Sequence, residues 1–467
     1  MIIEEVMLRK LIKYVPGIII PLIVNFILMM LYAVYLSPAE YGMLNINLNT
    51  IQVMYSLTLS VFQTAALRFY SLKEYNSEEE FISSYIFANL CMTIIIVIPC
   101  WIISLFLEFN WEIITLSIGT NGLFLFISNL YRVQFNSKRY NIIKMVSSIL
   151  ILVLLILFSF IIKPMSYIWP LLAIYITYGI ISIIEIYRLR TKILIKYISI
   201  DLLKKSIKYG VPLIGVALLG NIIASSDQYF LLYFLGKKEV GNYALGHRLV
   251  EAILNNMLMM ILLVMTPELN LTHDKKGENE SKVILKKMIS AAIWIMLPFT
   301  FAIIAYAKYI INFFFSEYTE AVVIMRLVVF ASVFNGLSMF TCKALELIKR
   351  PKYIFYSLII SSIVNSIYNI LFINIYGITA SAHSSIISYL VYNLLLIIFS
   401  RRYYDLKIDF GYIIKTIIVT SFTFTLAIFI MKMWNISNII VFVTQFIIMV
   451  FVYLVLSLIF NLFSPFK

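Results

Sequence analysis

The chain has 467 residues, 62% of them hydrophobic and 13% charged, with a mean hydropathy of +0.96 and a formal net charge of +14. A protein of this size folded in water must cover itself with polar groups, and this composition cannot do so; its bulk solvent is lipid. The positive charge invites a nucleic-acid reading, but basic cytoplasmic loops of a membrane protein give the same total, so no nucleic acid is expected as a partner.

Stretches of roughly 20 apolar residues, enough to cross a bilayer, recur along the chain, and fourteen qualify. The first, 15–36, resembles a long signal sequence but has no small-residue cleavage site after it, so it reads as a retained span. Five more complete a first group: 43–67, 82–107, 112–134, 141–162 and 167–187. A polar, basic segment follows at 188–208, which reads as an amphipathic helix on the inner surface. Beyond it come 211–235, 242–266, 286–306, 320–342, 353–374 and 377–400, and then 410–431 and 437–463. The expected fold class is an all-α integral membrane protein of about 14 transmembrane helices.

Basic residues orient these spans. With the N-terminus inside, the outer turns "LSPAEYG", "LEFNWE" and "NIYGIT" carry no Lys or Arg. The other outer ends hold only Lys163, Lys237, Lys238, Lys308 and Lys432. The inner segments carry the rest, among them Arg9, Lys10 and Lys13, the run from Arg188 to Lys208, and Lys275 to Lys287; Arg248 and Arg326 sit within spans. A missed or extra span would scramble this alternation, so both termini are expected in the cytoplasm.

Little in the chain suggests an enzyme. Cys91, Cys100 and Cys342 lie in apolar runs without metal spacing, and His247, His273 and His383 are scattered. There is no phosphate-binding loop and no supported Ser-His-Asp arrangement. No metal site or resident cofactor is expected.

Two segments repeat. "IKYVPGIIIPLIVNF…YLSPAEYG" runs from Ile12 to Gly42, and "IKYGVPLIGVALLGN…FLGKKEVG" from Ile207 to Gly241. Spans one to six therefore recur as seven to twelve, with an even number per repeat giving parallel halves and a substrate site expected between them. The domain organisation reads as an N-terminal lobe (1–187), a cytoplasmic amphipathic linker (188–208), a C-terminal lobe (209–400) and two added spans (401–467).

These residues carry a resemblance. "KYVPGIIIPLI…YLSPAEYGMLNI…ALRFYS" and "KYGVPLI…SSDQYFLLYFLGKKEVGNYALGHRL" resemble the two halves of the polysaccharide-biosynthesis flippases, the Wzx-type O-antigen and capsule repeat-unit transporters. "KRPKYIFYSLIISSIVNSIYNILFINIYGITASAHSSIISYLVYNLL" is similar to their eleventh and twelfth spans, with His383 where the family has a small apolar residue. The resemblance implies the two-lobed, MATE-like bundle of the multidrug/oligosaccharidyl-lipid/polysaccharide (MOP) exporters. It also implies alternating access and a lipid-linked oligosaccharide on an undecaprenyl diphosphate carrier as cargo, in a bacterial or archaeal plasma membrane. Membrane lipids are then partners and polysaccharide polymerase machinery a candidate one; spans thirteen and fourteen would offer a lipid-side groove for the prenyl tail. Another cargo in the same superfamily, lipid II-type or drug, is the near alternative. A membrane-embedded polymerase or acyltransferase is the alternative of a different class, disfavoured by the short outer loops.

Polar residues inside spans mark the candidate sites. "LLGNIIASSDQYFLLYFLG" carries Asp227 at roughly 13 Å from its outer end, and Arg248 lies roughly 10 Å into the next span, across a short turn. Matched depth predicts that they pair. Two readings stand: a clasp fixing the hairpin, or a site in which Arg248 binds diphosphate oxygens and Asp227 couples transport to Na+ or H+. Asn25 and Asn49 are candidates for a sugar-contacting wall; Asn45, Asn47 and Asn49 cannot all share one helical face. Arg68, at the inner end of span two, either receives the diphosphate or anchors to headgroups. Arg326 is expected to pair with Glu320, Glu268 to be solvated, and Gln63 and Lys144 are lesser candidates in the inner half. Tyr14, Tyr41, Tyr209 and Tyr243 fall at span ends and read as an interfacial belt.

Overall fold

The computed structural model describes residues 16–72, 75–105, 111–134, 136–401, 404, 409–433 and 439–462. Among them the chain is helical, without a strand. The helices are α1 (Pro16–Tyr35), α2 (Pro38–Leu57), α3 (Ser60–Leu72), α4 (Glu78–Ser104), α5 (Trp111–Val133), α6 (Ser137–Ile161), α7 (Ile168–Leu189) and α8 (Ile200–Phe234). Then follow α9 (Lys237–Lys276), α10 (Glu278–Phe314), α11 (Ala321–Leu347), α12 (Pro351–Tyr376), α13 (Ile378–Arg401), α14 (Phe410–Met433) and α15 (Ile439–Ile459). Ten of these are long and apolar enough to cross a membrane, and Gly411–Leu426 and Val443–Ile459 are shorter apolar helices. Large apolar side chains such as Ile94 and Phe160 stand exposed, which lipid favours and water would not.

Turn chemistry sets the joints. Ser37 accepts a hydrogen bond from the Glu40 N–H, and Pro38 opens α2, where a missing N–H costs nothing. At the matching joint of the second repeat, Gly236 takes φ +92, a region glycine enters without a side-chain clash.

Three elements break the simple alternation of spans and joints. The second span is broken between α2 and α3. The hydroxyls of Ser56, Thr58, Ser60 and Thr64 each donate to the carbonyl four residues back, and such competition loosens a helix. The segment 188–208 is not one amphipathic helix. Two 3-10 turns, Arg190–Lys192 and Ile195–Tyr197, separate α7 from α8. Side chains of α4 replace the helical bonds there: Ser83 Oγ donates to the Lys192 carbonyl and accepts from Leu194 N–H, and Ser84 Oγ accepts from Ser199 N–H. Finally, 267–285 is helical: α9 and α10 run through it and meet at Gly277, φ +84.

The chain forms two compact units, Met1–Ile222 and Ile223–Lys467, so the division falls inside α8. The core of the first is aromatic, with Phe62, Phe69, Phe81, Tyr85, Phe124 and Phe126 buried together. Tyr85 shares a 2.7 Å hydrogen bond with Ser206 in the early part of α8. In the second unit α11 packs on α9 and α13, and α12 on α13. Gly246 sits where α9 meets α11; a Cβ there would lie 3.0 Å from the Ala321 carbonyl oxygen. Tyr41 and Tyr243 are buried, which corrects the belt reading for those two: each turns its ring inward from a helix end. Tyr14 lies outside the described residues.

Candidate functional site

The later part of α8 carries Asp227 into the second unit, where it is only 3% exposed. Its Oδ1 accepts from Asn365 Nδ2 at 2.9 Å, Asn369 Nδ2 at 2.8 Å and Ser384 Oγ at 3.1 Å. Oδ2 accepts from the Tyr243 hydroxyl at 2.8 Å and from Ser385 Oγ. Helical spacing explains the convergence. Asn365 and Asn369 are one turn apart on α12, and Ser381, Ser384 and Ser385 occupy one stripe of α13. The amide oxygens are fixed in turn: Asn365 Oδ1 accepts from Ser226 at 2.9 Å and Asn369 Oδ1 from Ser381 at 2.8 Å. Four helices thus hold a buried carboxylate entirely with neutral donors.

Arg248 is not a partner of Asp227, which corrects the expected pair. Its guanidinium lies 3.5 Å from Glu251 Oε2, and His247 Nδ1 lies 3.4 Å from the same oxygen. Azimuth decides. Tyr243, His247 and Glu251 follow at four-residue spacing along one face of α9, while Arg248 is turned by about 100° from His247. The Tyr243 and His247 rings lie 5.7 Å apart on that face. Arg248 remains 39% exposed.

The first unit distributes its candidates. Asn25 is exposed on α1, whereas Asn49 is buried on α2. Asn45 and Asn47 donate to carbonyls of their own helix, Tyr41 at 2.9 Å and Met43 at 2.7 Å. Arg68 is exposed with its guanidinium 4.3 Å from the Tyr209 ring centroid. Gln63 ties α3 to α5, donating to the Gly122 carbonyl at 2.9 Å. In the second unit Arg326 donates to the Ile304 carbonyl at 3.1 Å and not to Glu320, because the nearest acceptor on the neighbouring α10 is backbone. Glu268 is exposed, as expected.

An apolar cleft of about 110 Å³ opens between α10, α14 and α15, lined by Trp294, Pro298, Phe301, Phe424, Phe446 and Tyr453 among others. Trp294 and Tyr453 are fixed at its rim: Trp294 Nε1 donates to Ser457 at 3.1 Å and Tyr453 to the Trp294 carbonyl at 2.8 Å.

Residues 31–323 match the family described as polysaccharide biosynthesis protein. The chain belongs to that family. Among curated proteins none matches it in sequence. Among solved structures it is similar to the lipid II flippase MurJ in an inward closed conformation, at TM-score 0.76 and 17% identity, covering 96% of this chain and 98% of that one. It is also similar to an inward-facing multidrug resistance MATE family transporter of the MOP superfamily, at TM-score 0.66 and 14% identity, covering 83% and 97%. At such identities the likeness is one of fold: this polysaccharide biosynthesis protein is a multi-pass helical membrane protein.

Within this member of the family, sequence reasoning found Asp227 but not its cage. Asn365, Asn369, Ser384, Ser385 and Tyr243 were missed as a group, although two Asn four residues apart in an apolar span ("VNSIYNI") are a signal for a buried polar stripe. Among the described residues no three His, Cys, Asp or Glu side chains gather as metal ligands. Around Asp227 the oxygens are its own carboxylate and the hydroxyls of Tyr243, Ser384 and Ser385, hard atoms that suit a proton or a small hard cation, while Asn365 and Asn369 present N–H groups.

Proposed function

We propose that this polysaccharide biosynthesis protein is a flippase. It moves oligosaccharide repeat units linked to a polyprenyl diphosphate, undecaprenyl diphosphate as the expected carrier, from the cytoplasmic to the outer leaflet. It works by alternating access in the plasma membrane, with both termini cytoplasmic. Occupation of Asp227 by Na+ or H+ couples the cycle to an ion gradient.

The observation that carries this reading is the caged Asp227. An intramembrane carboxylate is costly and marks function by default. Here it is held by neutral donors from three neighbouring helices, so adding a cation changes the net charge of a buried site and the preferred packing of α8, α9, α12 and α13. An ion can shift a conformational equilibrium only through such differential binding. The Asp227 carboxylate and the hydroxyl oxygens of Tyr243, Ser384 and Ser385 would hold the cation. Supporting the cargo class are the family, the fold likeness to a lipid II flippase, and the apolar cleft at α14 and α15, which suits a prenyl chain. Arg248 and Arg68 are the proposed contacts for the diphosphate, and Asn25 and Asn49 for sugar. Polymerase machinery would take up the product outside.

Deletion in a strain lacking any other flippase, followed by assay of which leaflet holds the lipid-linked repeat unit, tests the reading. Accumulation on the cytoplasmic leaflet, reversed by the wild-type gene, is expected. Unchanged arrival at the outer leaflet overturns it, and rescue of lipid II export instead would reassign the cargo.

A further inference from the structure

The first unit contains a charge that none of these roles uses. Lys144 lies on α6, roughly 10 Å in from the cytoplasmic start of that helix. It is half-buried, and its ammonium stands 4.7 Å from the Phe124 ring centroid. Phe124 is fixed: it is buried, and it stacks on Tyr178 with centroids 4.2 Å apart and an interplanar angle of 13°.

No carboxylate among the described residues pairs with Lys144. The acids at the inner end of this unit are engaged elsewhere, Glu185 by Arg139 and Glu78 by Lys192. The charged neighbour that Lys144 does feel is another cation, Arg132, from the last turn of α5. A ring face offsets only part of what an ammonium loses on leaving water. Two cations near one another in apolar surroundings are further disfavoured by repulsion. An anion with several oxygens relieves both deficits at once.

We propose that Lys144, held in place by Phe124 and backed by Arg132, is a binding site for phosphoryl oxygens at the cytoplasmic end of the first unit. The occupant is the diphosphate of the lipid-linked cargo, and this identification rests on the flippase reading. A phospholipid headgroup offers the same chemistry, so the test separates the two sources.

Full-length protein is purified in detergent and its affinity for farnesyl diphosphate, a short soluble polyprenyl diphosphate, is measured for wild type, K144Q, K144R and F124L. The loss of a charge-assisted contact predicts about tenfold weaker binding for K144Q. K144R retains affinity within about threefold because the charge persists, and F124L falls between. Equal affinity of K144Q and wild type, or no binding by wild type, overturns the proposal whatever happens to export. Lys144-dependent binding of phosphatidylglycerol but not of farnesyl diphosphate would assign the site to bilayer lipid and overturn the cargo contact. Loss of export in K144Q with unchanged affinity would leave Lys144 a structural residue, again overturning it. If diphosphate binding depends on Lys144 while the deletion strain still exports, the phosphate site stands and the flippase reading fails.

Discussion

The Tyr243 hydroxyl, from α9, donates to Asp227 Oδ2, from α8, across 2.8 Å, at the place where sequence alone pointed to Arg248. A polar but uncharged residue thus closes the cage. That arrangement separates the groups that hold the carboxylate from Arg248, which faces Glu251 instead.

Asp227→Asn keeps the shape and removes the charge. We expect export to fall at least about tenfold with little change in melting temperature, since an amide can still accept from Asn369 and Ser384. Asp227→Ala strands several buried donors, each at about 1–3 kcal/mol, and should lower stability clearly. Export assays beside thermal unfolding of the solubilised protein check this; normal export by Asp227→Asn would remove Asp227 from the coupling role.

Asp227 and Arg248 do not touch, so their effects should combine independently. In a cycle of Asp227→Asn, Arg248→Gln and the double variant, the coupling energy in export should lie below about 0.5 kcal/mol. Arg248→Gln with Glu251→Gln, which share a 3.5 Å contact, should be clearly non-additive. A strong coupling in the first cycle would revive the direct pair.

The cleft at α10, α14 and α15 can be closed from within. Ala302→Phe puts a ring into a space of about 110 Å³. If that space accepts a prenyl chain, native mass spectrometry should show less copurifying polyprenyl lipid and export should drop, while folding is retained. Undiminished lipid would place the chain elsewhere.

Asp409 immediately precedes α14, ahead of the apolar segment Gly411–Leu426. The Tyr412 N–H, and then the Lys286 ammonium 2.9 Å away, hold its carboxyl below the usual range. A depressed acid contributes its stability above the unfolded value, about 4, and loses it as pH falls through the folded one. Hydrogen-exchange protection at 409–416, taken relative to the intrinsic rate at each pH, should therefore be flat between about pH 5 and 8 and fall relative to neighbouring helices only below about pH 4.

Much of this could be read from the chain. Hydropathy located the helices, because it depends on composition averaged over a whole span. What escaped depends on rotation and on third elements. Arg248 is turned away from Asp227 by its own position on α9. The cage needs Asn365 and Ser384, more than 130 residues downstream. The 188–208 segment is shaped by Ser83 and Ser84 of a different helix, and the break after α2 comes from hydroxyls whose competition with the backbone hydropathy does not register.

The neutrality of the Asp227 cage has a consequence for how the protein meets its surroundings. Dissolved salt weakens exposed ion pairs by screening them. A carboxylate 3% exposed and gripped only by amide and hydroxyl dipoles has no counter-charge for salt to shield. Salinity as such therefore leaves the grip unchanged, and the site responds to its environment only through what is small enough to enter it.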